Sequence, residues 1–379
     1  MKYLNKYTYV LLGLIFIAGI TISFIIPNFQ REEFSQDVID DIIEGVTTTS
    51  TTSVGNDNNE IVENNKQPEA IENDLIISDE ELNKIEKLLI NNNIKKEITD
   101  FDVYMLIGSD ERSGETIETR GNVIGKRADV IIVGLINKTS NQTTLLSFPR
   151  DLLIINTCTE KLERINASYS KNNCGNSAEN LAAAIYSISG LKVDHFASFD
   201  FKGFESIIDS VGGIEICVDV TQREGYSFEL QKGCQTVNGL TTLNWVVSRS
   251  TEVLVGEKTT DSNGNDNSTW ELMSGVSDLT RIVRQQYVVT QLINELSQFN
   301  SINELNTFVK TLEKTFTIDE NLTINKAVDL LWNFRDFDLS KVKKLTTPID
   351  YVTLEDGRQV LVLKENLYDF MEKESLIDS

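Results

Sequence analysis

A long apolar run near the amino terminus dominates the pattern of hydrophobic and polar positions. Residues 7–26 include no charged side chain; Lys2 and Lys6 precede the run, and Glu32 and Glu33 follow it. About 20 residues at 1.5 Å each span a hydrocarbon core of about 30 Å, so this run predicts one transmembrane helix. The lysines place the amino terminus in the cytoplasm and the rest of the chain outside. A cleaved signal peptide is the alternative; no small-residue cleavage site follows the run, so we predict an uncleaved anchor within residues 1–27.

The next stretch, residues 28–100, differs from the run before it in composition. Residues 47–69 consist mainly of Thr, Ser, Asn and Glu, a composition that predicts disorder. Within this stretch the spacing between Ser78 and Ile90 predicts a short helix: Ser78 and Glu81 match a capping box, and Leu82, Ile85, Leu88 and Leu89 share one face. We therefore predict an acidic, mostly disordered linker outside the membrane.

Short apolar runs rich in β-branched and aromatic residues begin at residue 101 and alternate with amphipathic segments. The runs that predict strands are FDVYMLIG, DVIIVGLIN, TTLLSF, VDHFASF and IEICVDV, and the second and third should pair antiparallel across a turn-rich segment. Helices are predicted near 177–189, 204–211, 238–248, 278–298, 302–313 and 323–334, and a hairpin over 351–363 turns at Asp356-Gly357. This alternation predicts an α/β domain over residues 101–379: an α/β/α sandwich with a central mixed, largely antiparallel sheet.

Charge and histidine content restrict the chemistry. The 379 residues carry a net charge of -23, about half of it within residues 28–100. General nucleic-acid binding needs a basic surface, so we predict no nucleic-acid partner. His195 is the only histidine of the sequence, which excludes a His-ligated metal cluster. It lies in a predicted strand without a nucleophile motif, and we expect it to be structural.

Charged residues cluster where predicted strands end or begin. The four clusters are Asp110 and Arg112; Arg127 and Asp129; Arg150 and Asp151; and Asp278, Arg281, Arg284 and Gln285. If the strands are neighbours, these side chains meet at one rim of the sheet. Arginine forks suit phosphate oxygens, and carboxylates suit Mg²⁺. The clusters therefore predict phosphoryl chemistry, which needs no histidine. Ordinary surface salt bridges are the alternative.

The last cluster lies on the helix predicted near 278–298. At 100° per residue its charged and amide side chains fall within about 120° of arc. The opposite stripe should face the core; it contains Ile282, Val283, Val289, Ile293 and Leu296.

Seven runs, in this order, are typical of one family: GSDER, RADVIIVGLIN, LLSFPRDL, RINASYS, DHFASFDFKGFESIIDSVGGIEICV, LTTLNWVVSRS and DLTRIVRQQ. Through them residues 102–286 resemble the LytR-CpsA-Psr family of extracytoplasmic cell-wall enzymes. The helices after Gln286 extend the resemblance over most of residues 101–370, and an amino-terminal anchor is also the family habit. Each run alone is a weak signal, whereas the ordered set is specific.

The resemblance implies a phosphotransferase that moves an anionic glycopolymer from a polyprenyl-pyrophosphate carrier to peptidoglycan, outside the cytoplasmic membrane. It implies that Asp110 and Asp129 hold Mg²⁺ (or Mn²⁺). The residues it implies for pyrophosphate binding are Arg112, Arg127, Arg150, Arg249, Arg281, Arg284 and Gln285. Arg127 and Arg150 would also stabilise developing charge, and Asp151 would act as a base or orient the attacking hydroxyl. Asn166 either lines the site or satisfies backbone groups of its loop. Hydrolysis of the pyrophosphate and non-catalytic binding of lipid or glycan are the competing functions.

The sequence departs from the family pattern at three places. Val247 stands where the family commonly has an arginine, which supports the non-catalytic alternative, and Val130 stands where a small hydroxyl residue is usual. Residues 251–275 lengthen the connection before Asp278, with a hairpin predicted around DSNGNDN. This hairpin is either a lid over the site or a surface excursion.

The four cysteines are expected to form disulfides, because the domain is predicted to lie outside the membrane. Their spacing does not match a Cys-x-x-Cys zinc or redox site. Of the three connectivities we favour Cys158–Cys174 and Cys217–Cys234. Each closes a loop of about 15 residues, worth about 3 kcal/mol in the chain-entropy model. Four free thiols are the alternative.

Overall fold

The computed structural model describes residues 30–49, 85, 89, 96–109, 127–140, 142–170, 174–274, 278–298, 316–320, 341–353 and 359–377. Its strands are Gln30–Glu32 (β1), Phe101–Ser109 (β2), Ala128–Asn137 (β3), Thr143–Ser147 (β4), Leu153–Ile155 (β5), Leu162–Arg164 (β6), His195–Phe199 (β7), Ile214–Val218 (β8), Gln222–Glu224 (β9), Phe228–Leu230 (β10), Gly233–Val237 (β11), Glu252–Val255 (β12), Thr269–Leu272 (β13), Phe316–Asp319 (β14), Lys343–Thr346 (β15), Ile349–Thr353 (β16) and Gln359–Leu363 (β17). Its helices are Gln36–Thr49 (α1), Ser177–Ser189 (α2), Phe201–Ser210 (α3), Gly239–Val247 (α4), Asp278–Ser297 (α5) and Leu367–Lys373 (α6), with a 3₁₀ turn at Ile165–Ser168.

A seven-stranded sheet forms the centre of this structure, in the order β1-β14-β7-β2-β3-β4-β15. The predicted antiparallel pairing of β3 with β4 is confirmed, with Val133 opposite Leu146. The sheet is more evenly mixed than predicted, because β1, β7 and β15 each have a parallel neighbour. Parallel strands need a crossover, which α2 supplies on the way to β7, and short apolar runs alone do not reveal that pairing.

One edge of this sheet collects the predicted charged residues. There β2, β4 and β7 end and β3 begins, so Ser109 lies opposite Ala128, and Phe199 lies opposite Gly108. We call this edge, defined by Ser109, Ala128, Ser147 and Phe199, the site edge. The turn between β3 and β4 lies at the opposite edge.

Helices cover both faces of the sheet, as the predicted sandwich requires. On one face, Val103, Met105 and Ile107 of β2 pack in a buried cluster with residues of α1, α2 and α6. On the other face, α3, α4 and α5 pack around Phe316 and Phe199. The predicted helix at 177–189 is confirmed as α2, with a capping box at its start. The predicted helices at 302–313 and 323–334 and the turn at Asp356-Gly357 lie outside the described residues.

The structure corrects part of the predicted linker. Residues 30–49, which the sequence pattern assigns to the linker, belong to the folded domain: β1 pairs with β14, and Phe34 and Ile39 are each 1% exposed in the core. Ile85 and Leu89 are helical and buried against Leu153 and β17. The capping box predicted at Ser78 lies outside the described residues. A three-residue strand has too few positions to show a period, so the pattern misses β1.

Residues 214–272 form two smaller sheets beside the main one. β8 pairs with β11, and a four-stranded sheet has the order β10-β9-β12-β13. The hairpin predicted within 251–275 is present as β12 and β13, with Leu254 opposite Trp270. It is joined to β9 through the pairs Glu252–Arg223 and Val253–Gln222, so this insertion extends an existing sheet.

Both favoured disulfides are present: Cys158 is bonded to Cys174, and Cys217 to Cys234. In the ranges given above, no helix combines the length and the apolar character that a bilayer crossing needs. The anchor predicted at residues 7–26 lies outside those ranges.

Candidate active site

Three of the predicted charged residues lie together at the site edge. Asp129 is the second residue of β3, Arg127 immediately precedes that strand, and Arg150 follows β4 by three residues. Because β3 and β4 are antiparallel neighbours, the start of one lies beside the end of the other. Asp110 and Arg112, predicted to follow β2, lie outside the described residues, as does the side chain of Asp278.

Arg150 is the centre of an ion-pair network. Its Nη1 donates a hydrogen bond to Oδ1 of Asp129, and its Nε donates to Oδ2 of Asp151 at 3.2 Å. The side chains of Arg150 and Asp129 are only 20% and 12% exposed. Such partly buried pairs are less screened by water and salt than surface pairs. The predicted convergence of Arg150, Asp129 and Asp151 is therefore a geometric property of this fold.

Arg164 extends the network and was not among the predicted site residues. It is the last residue of β6, and its Nε lies 3.4 Å from Oδ1 of Asp151. The available signal was its place at the head of the run RINASYS. Since the two oxygens of Asp151 contact Arg150 and Arg164, these contacts favour an orienting role for Asp151 over that of a base.

The loop after β6 supports Arg150 from behind. The backbone N–H of Asn166 donates to the carbonyl of Arg150 at 3.2 Å, and the Asn166 residue is 6% exposed. Nearby, the amide of Asn156 donates to Ser168 Oγ at 3.2 Å and to Glu163 Oε2 at 3.0 Å. Together with the Cys158–Cys174 bond, these contacts attach the loop to the domain, and the loop in turn holds the backbone of Arg150.

The polar face of α5 is turned inward, which corrects the predicted orientation of that helix. Arg281, Arg284 and Gln285 are 4%, 5% and 7% exposed, whereas Val283, predicted to face the core, is 62% exposed. Ile282 is buried, as the apolar stripe predicts, and Val288, which the predicted stripe does not include, is buried as well. The side chains of Ile293 and Leu296 lie outside the described residues. Buried arginines are costly without partners, so this face must lie against acceptors of the domain.

Gln286 shows what that face contacts. Its Nε2 donates to Ser147 Oγ and to the carbonyl of Leu345, each at 2.9 Å. Ser147 ends β4 at the site edge, three residues before Arg150. The amide therefore ties α5 to two adjacent strands beside the site. Gln286 was not among the predicted site residues, although it closes the run DLTRIVRQQ.

Arg284 braces the segment that carries Arg249. Its Nη1 donates to the carbonyl of Trp245 at 2.8 Å, and its Nη2 donates to Thr251 Oγ1 at 3.0 Å. Thr251 in turn shares a 2.7 Å hydrogen bond with Ser248. Arg249 is exposed between these two pinned residues. Burial lowers the pKa of Arg284 to about 10, so at neutral pH it remains a cation.

The two valines that depart from the family pattern have different surroundings. Val130 packs over Gly108, where an added Cβ would lie 2.9 Å from the Val130 side chain. A larger residue at 108 would therefore collide with β3. Val247, the last residue of α4, is partly buried one position before Ser248.

Asp129 is the described carboxylate that could hold a metal ion at the site edge. A carboxylate offers about four lone-pair positions, so the hydrogen bond from Arg150 leaves acceptor capacity on Asp129. Mg²⁺ typically takes one or two carboxylates together with waters and substrate phosphate oxygens. Asp129 would supply one carboxylate of that kind. Glu215, Cys217 and Cys234 also cluster, but the two cysteines are bonded to each other and do not ligate a metal.

His195 lies away from the site edge, in a contact that fits the expected structural role. Its Nδ1 is 3.2 Å from both carboxylate oxygens of Asp319, and its ring stacks on Tyr104 with centroids 5.5 Å apart. Asp319 is fully buried and also accepts from the N–H of Phe196. This pair joins β7 to β14 within the sheet.

Comparison with known proteins agrees with this architecture. The sequence profile of the LytR_cpsA_psr family matches residues 62–257 and 271–376. The match spans most of the chain, and the chain belongs to this family. The solved structure of a LytR-Csp2A-Psr enzyme from Actinomyces oris has a TM-score of 0.56 and 20% identity, covering 75% of this chain and 93% of that one. At this identity the likeness concerns the fold.

Two curated relatives match this chain over a smaller share of their own length. A probable cell wall biosynthesis protein, LcpB of Corynebacterium glutamicum, is 27% identical over 227 residues, which are 57% of this chain and 48% of the relative. TagU of Bacillus licheniformis, named a polyisoprenyl-teichoic acid–peptidoglycan teichoic acid transferase, is 25% identical over 233 residues, 61% of this chain and 63% of the relative. The chain thus spans about half to just under two thirds of the length of these relatives.

Proposed function

We propose that the protein is an extracytoplasmic phosphotransferase that moves an anionic glycopolymer from a polyprenyl-pyrophosphate carrier to a hydroxyl group of peptidoglycan. Membership of the LytR_cpsA_psr family and the name of the relative TagU support this class of reaction. The observation that carries the proposal is the Arg150 network at the site edge, where an arginine fork is held between Asp129 and Asp151.

Arg150 would bind the substrate phosphate. A guanidinium supplies five N–H donors in a planar fork, and its contacts with Asp129 and Asp151 use Nη1 and Nε. A planar fork of this kind matches the oxygen geometry of a phosphate group. Arg127, beside Asp129, would add a second cation. Arg249, exposed on the segment that Arg284 braces, would add a third; Arg112, Arg281 and Gln285 complete the proposed set.

In the proposed reaction the acceptor hydroxyl oxygen attacks the phosphorus that bears the glycopolymer. The bond from that phosphorus to the bridging oxygen breaks, and polyprenyl phosphate leaves with the electron pair of that bond. The hydroxyl proton is released as the phosphodiester forms. Arg150 and Arg127 would neutralise the charge that grows on the phosphoryl and bridging oxygens. Asp151, held by Arg164, would keep the Arg150 fork in position.

We propose Mg²⁺ as the cofactor, held by Asp129 together with Asp110. Bound there, the ion would offset the negative charge of the pyrophosphate. We also propose that the protein is a single-pass protein of the cytoplasmic membrane, anchored by residues 7–26 with its amino terminus inside.

Turnover of a synthetic lipid-linked glycopolymer tests the proposal. The full chain, in detergent, is incubated with this donor and with peptidoglycan, in Mg²⁺ or in EDTA. We expect polymer-linked peptidoglycan and polyprenyl phosphate only with the metal, and an Asp129→Asn variant should lose at least about 100-fold in rate. Asp102→Asn is the matched control, because Asp102 lies on β2 at the opposite edge and pairs with Lys138 at 3.9 Å. Unchanged turnover by Asp129→Asn would contradict the assignment.

The same assay separates the alternatives. A hydrolase releases the phosphorylated polymer equally well without peptidoglycan. A non-catalytic binding protein retains the lipid donor unchanged, and Val247, in place of a family arginine, favours that outcome. Val247→Arg should then increase donor affinity or turnover if the missing cation is what limits phosphate binding.

A further inference from the structure

The first strand of the domain fixes the direction from which the chain arrives. β1 runs parallel to β14, with Gln30 opposite Thr317. Thr317 lies opposite Ser198, and Ser198 lies opposite Ile107, two residues before the end of β2. From Gln30 to Glu32 the strand runs away from the site edge. The chain therefore enters the sheet from the site edge.

The entering segment is held firmly to the domain. The N–H of Ser35 donates to Glu179 Oε1, and Gln36 Nε2 donates to the carbonyl of Val193, each at 2.8 Å. The buried ring of Phe34 lies 5.1 Å from that of Phe196. Lys192 pairs with Asp40 at 2.7 Å. On the other side of residue 34, β1 is paired with β14, and Asn176 Nδ2 donates to the carbonyl of Glu33. The described segment is thus attached to the domain both before and after Phe34.

The distance to the predicted anchor is short. Three residues, 27–29, separate the end of the apolar run from Gln30, and three residues reach at most about 10 Å. Across the sheet, β1 and β3 are separated by four strand spacings, which amount to about 19 Å. Gln30, at which the chain coming from the predicted anchor enters the sheet, therefore lies about two nanometres from the strand that carries Asp129.

The acidic stretch cannot act as the spacer from the membrane. It is preceded by α1, packed on α2, and followed by Ile85 and Leu89, packed on Leu153 and β17. Both flanks of residues 50–84 thus lie on the domain. This stretch adds nothing to the reach between the anchor and β1.

We infer that the domain is held directly against the bilayer with its site edge facing the lipid headgroups. The site would then receive a substrate whose pyrophosphate lies at the membrane surface. This inference deepens the proposed function and rests on it for the identity of the substrate. The orientation itself can be measured without turnover.

Energy transfer to the bilayer measures the orientation. All four cysteines of the sequence are in disulfides, so one added cysteine can be labelled. Lys202→Cys places a fluorophore at an exposed position of α3, just after β7 ends at the site edge, and Ser140→Cys places it in the exposed turn at the opposite edge. The nine residues of β2 separate these edges by about 30 Å. The full chain is reconstituted in phosphatidylethanolamine–phosphatidylglycerol vesicles that carry a rhodamine lipid.

We expect markedly higher transfer efficiency from position 202 than from position 140. Equal efficiencies, or the reverse order, would overturn the inferred orientation. This result does not depend on catalysis, so it stands apart from the proposed function.

A spacer insertion connects the orientation to activity. A flexible Gly/Ser segment of about 20 residues is inserted between Phe29 and Gln30, and the matched control carries the same segment between Asn58 and Asn59. Donor is supplied either as a full-length carrier in the vesicle or as a short, water-soluble polyprenyl-pyrophosphate analogue. The first insertion should lower turnover of the membrane-embedded donor about tenfold, because the effective concentration falls, and leave the soluble analogue unaffected.

The control insertion should leave both activities unchanged. Identical behaviour of the two insertions would contradict the inference. If the unaltered chain turns over neither donor, the proposed function fails, while the energy-transfer order still reports the orientation.

Discussion

Arg150 and Asp129 meet across the ends of two adjacent antiparallel strands, and Asp151 holds the other side of the same guanidinium. The contact depends on the pairing of β3 with β4. Register brings Ser147 opposite Ile132, so the residues that follow β4 lie beside those that open β3. The pair is partly buried, so solvent weakens the attraction between its charges less than in a surface ion pair.

Two replacements of Arg150 should separate the effect of its positive charge on the transfer rate from the effect of its planar shape. Arg150→Ala should lower the transfer rate at least about 100-fold, as expected when a charge-stabilising donor is removed. Arg150→Lys keeps the cation but loses the planar fork, so it should recover only a small part of that loss. Steady-state transfer rates and thermal unfolding of both variants provide the measurement. A lysine variant with full activity would show that the fork is not needed.

Arg164 should act through Asp151 and Arg150. Arg164→Ala should lower kcat about tenfold, because Arg150 loses one of the contacts that fix its carboxylate partner, whereas Arg164→Lys should retain most activity. Lys161→Ala, exposed on the same hairpin, is the matched control and should be neutral. In an Arg150→Ala background the Arg164→Ala change should have no further effect. Additive losses in the double variant would instead give Arg164 an independent role.

Gln286 should contribute to stability more than to chemistry. Gln286→Leu removes two hydrogen bonds and leaves the buried Ser147 hydroxyl and Leu345 carbonyl to find other partners, at a cost of about 1–3 kcal/mol. Val283→Ala, exposed on the same helix, should change the unfolding free energy by less than about 0.5 kcal/mol. Urea unfolding of both variants tests this difference. Equal stability of the two would show that the amide is dispensable.

The hairpin of β12 and β13 should loosen in acid. Hydrogen bonds from Ser268 and Trp270, with the nearby Arg223 cation, lower the pKa of Asp266 to about 2, from an ordinary value of 3.8. A lowered carboxylate pKa stabilises the folded state above the ordinary value, and the contribution is lost as the pH falls from about 4 to 2. Asp266→Asn should flatten this part of the pH dependence of the thermal midpoint. Identical curves for both proteins between pH 5 and 2 would contradict the assignment.

Periodicity and local chemistry determined much of this protein from sequence alone. The apolar alternation of β3 and β4, the helical spacing of α2 and the turn-rich segment between strands are local properties, and the structure reproduces them. The rule that charged residues next to apolar runs lie at strand ends also selected Arg150, Asp129 and Asp151 from the sequence.

Only the tertiary structure decided which of these residues have partners and which way they face. Arg164 joins Asp151 because β6 folds back on β5, a contact that no local pattern encodes. The arginine face of α5 turns inward because Trp245, Thr251 and the ends of β4 and β15 provide acceptors there, although a polar stripe by itself indicates solvent. β1 is too short to show a period, and its place beside β14 depends on backbone pairing with residues nearly three hundred positions away. Long-range pairing of that kind places in the folded domain a strand that composition had assigned to the disordered linker.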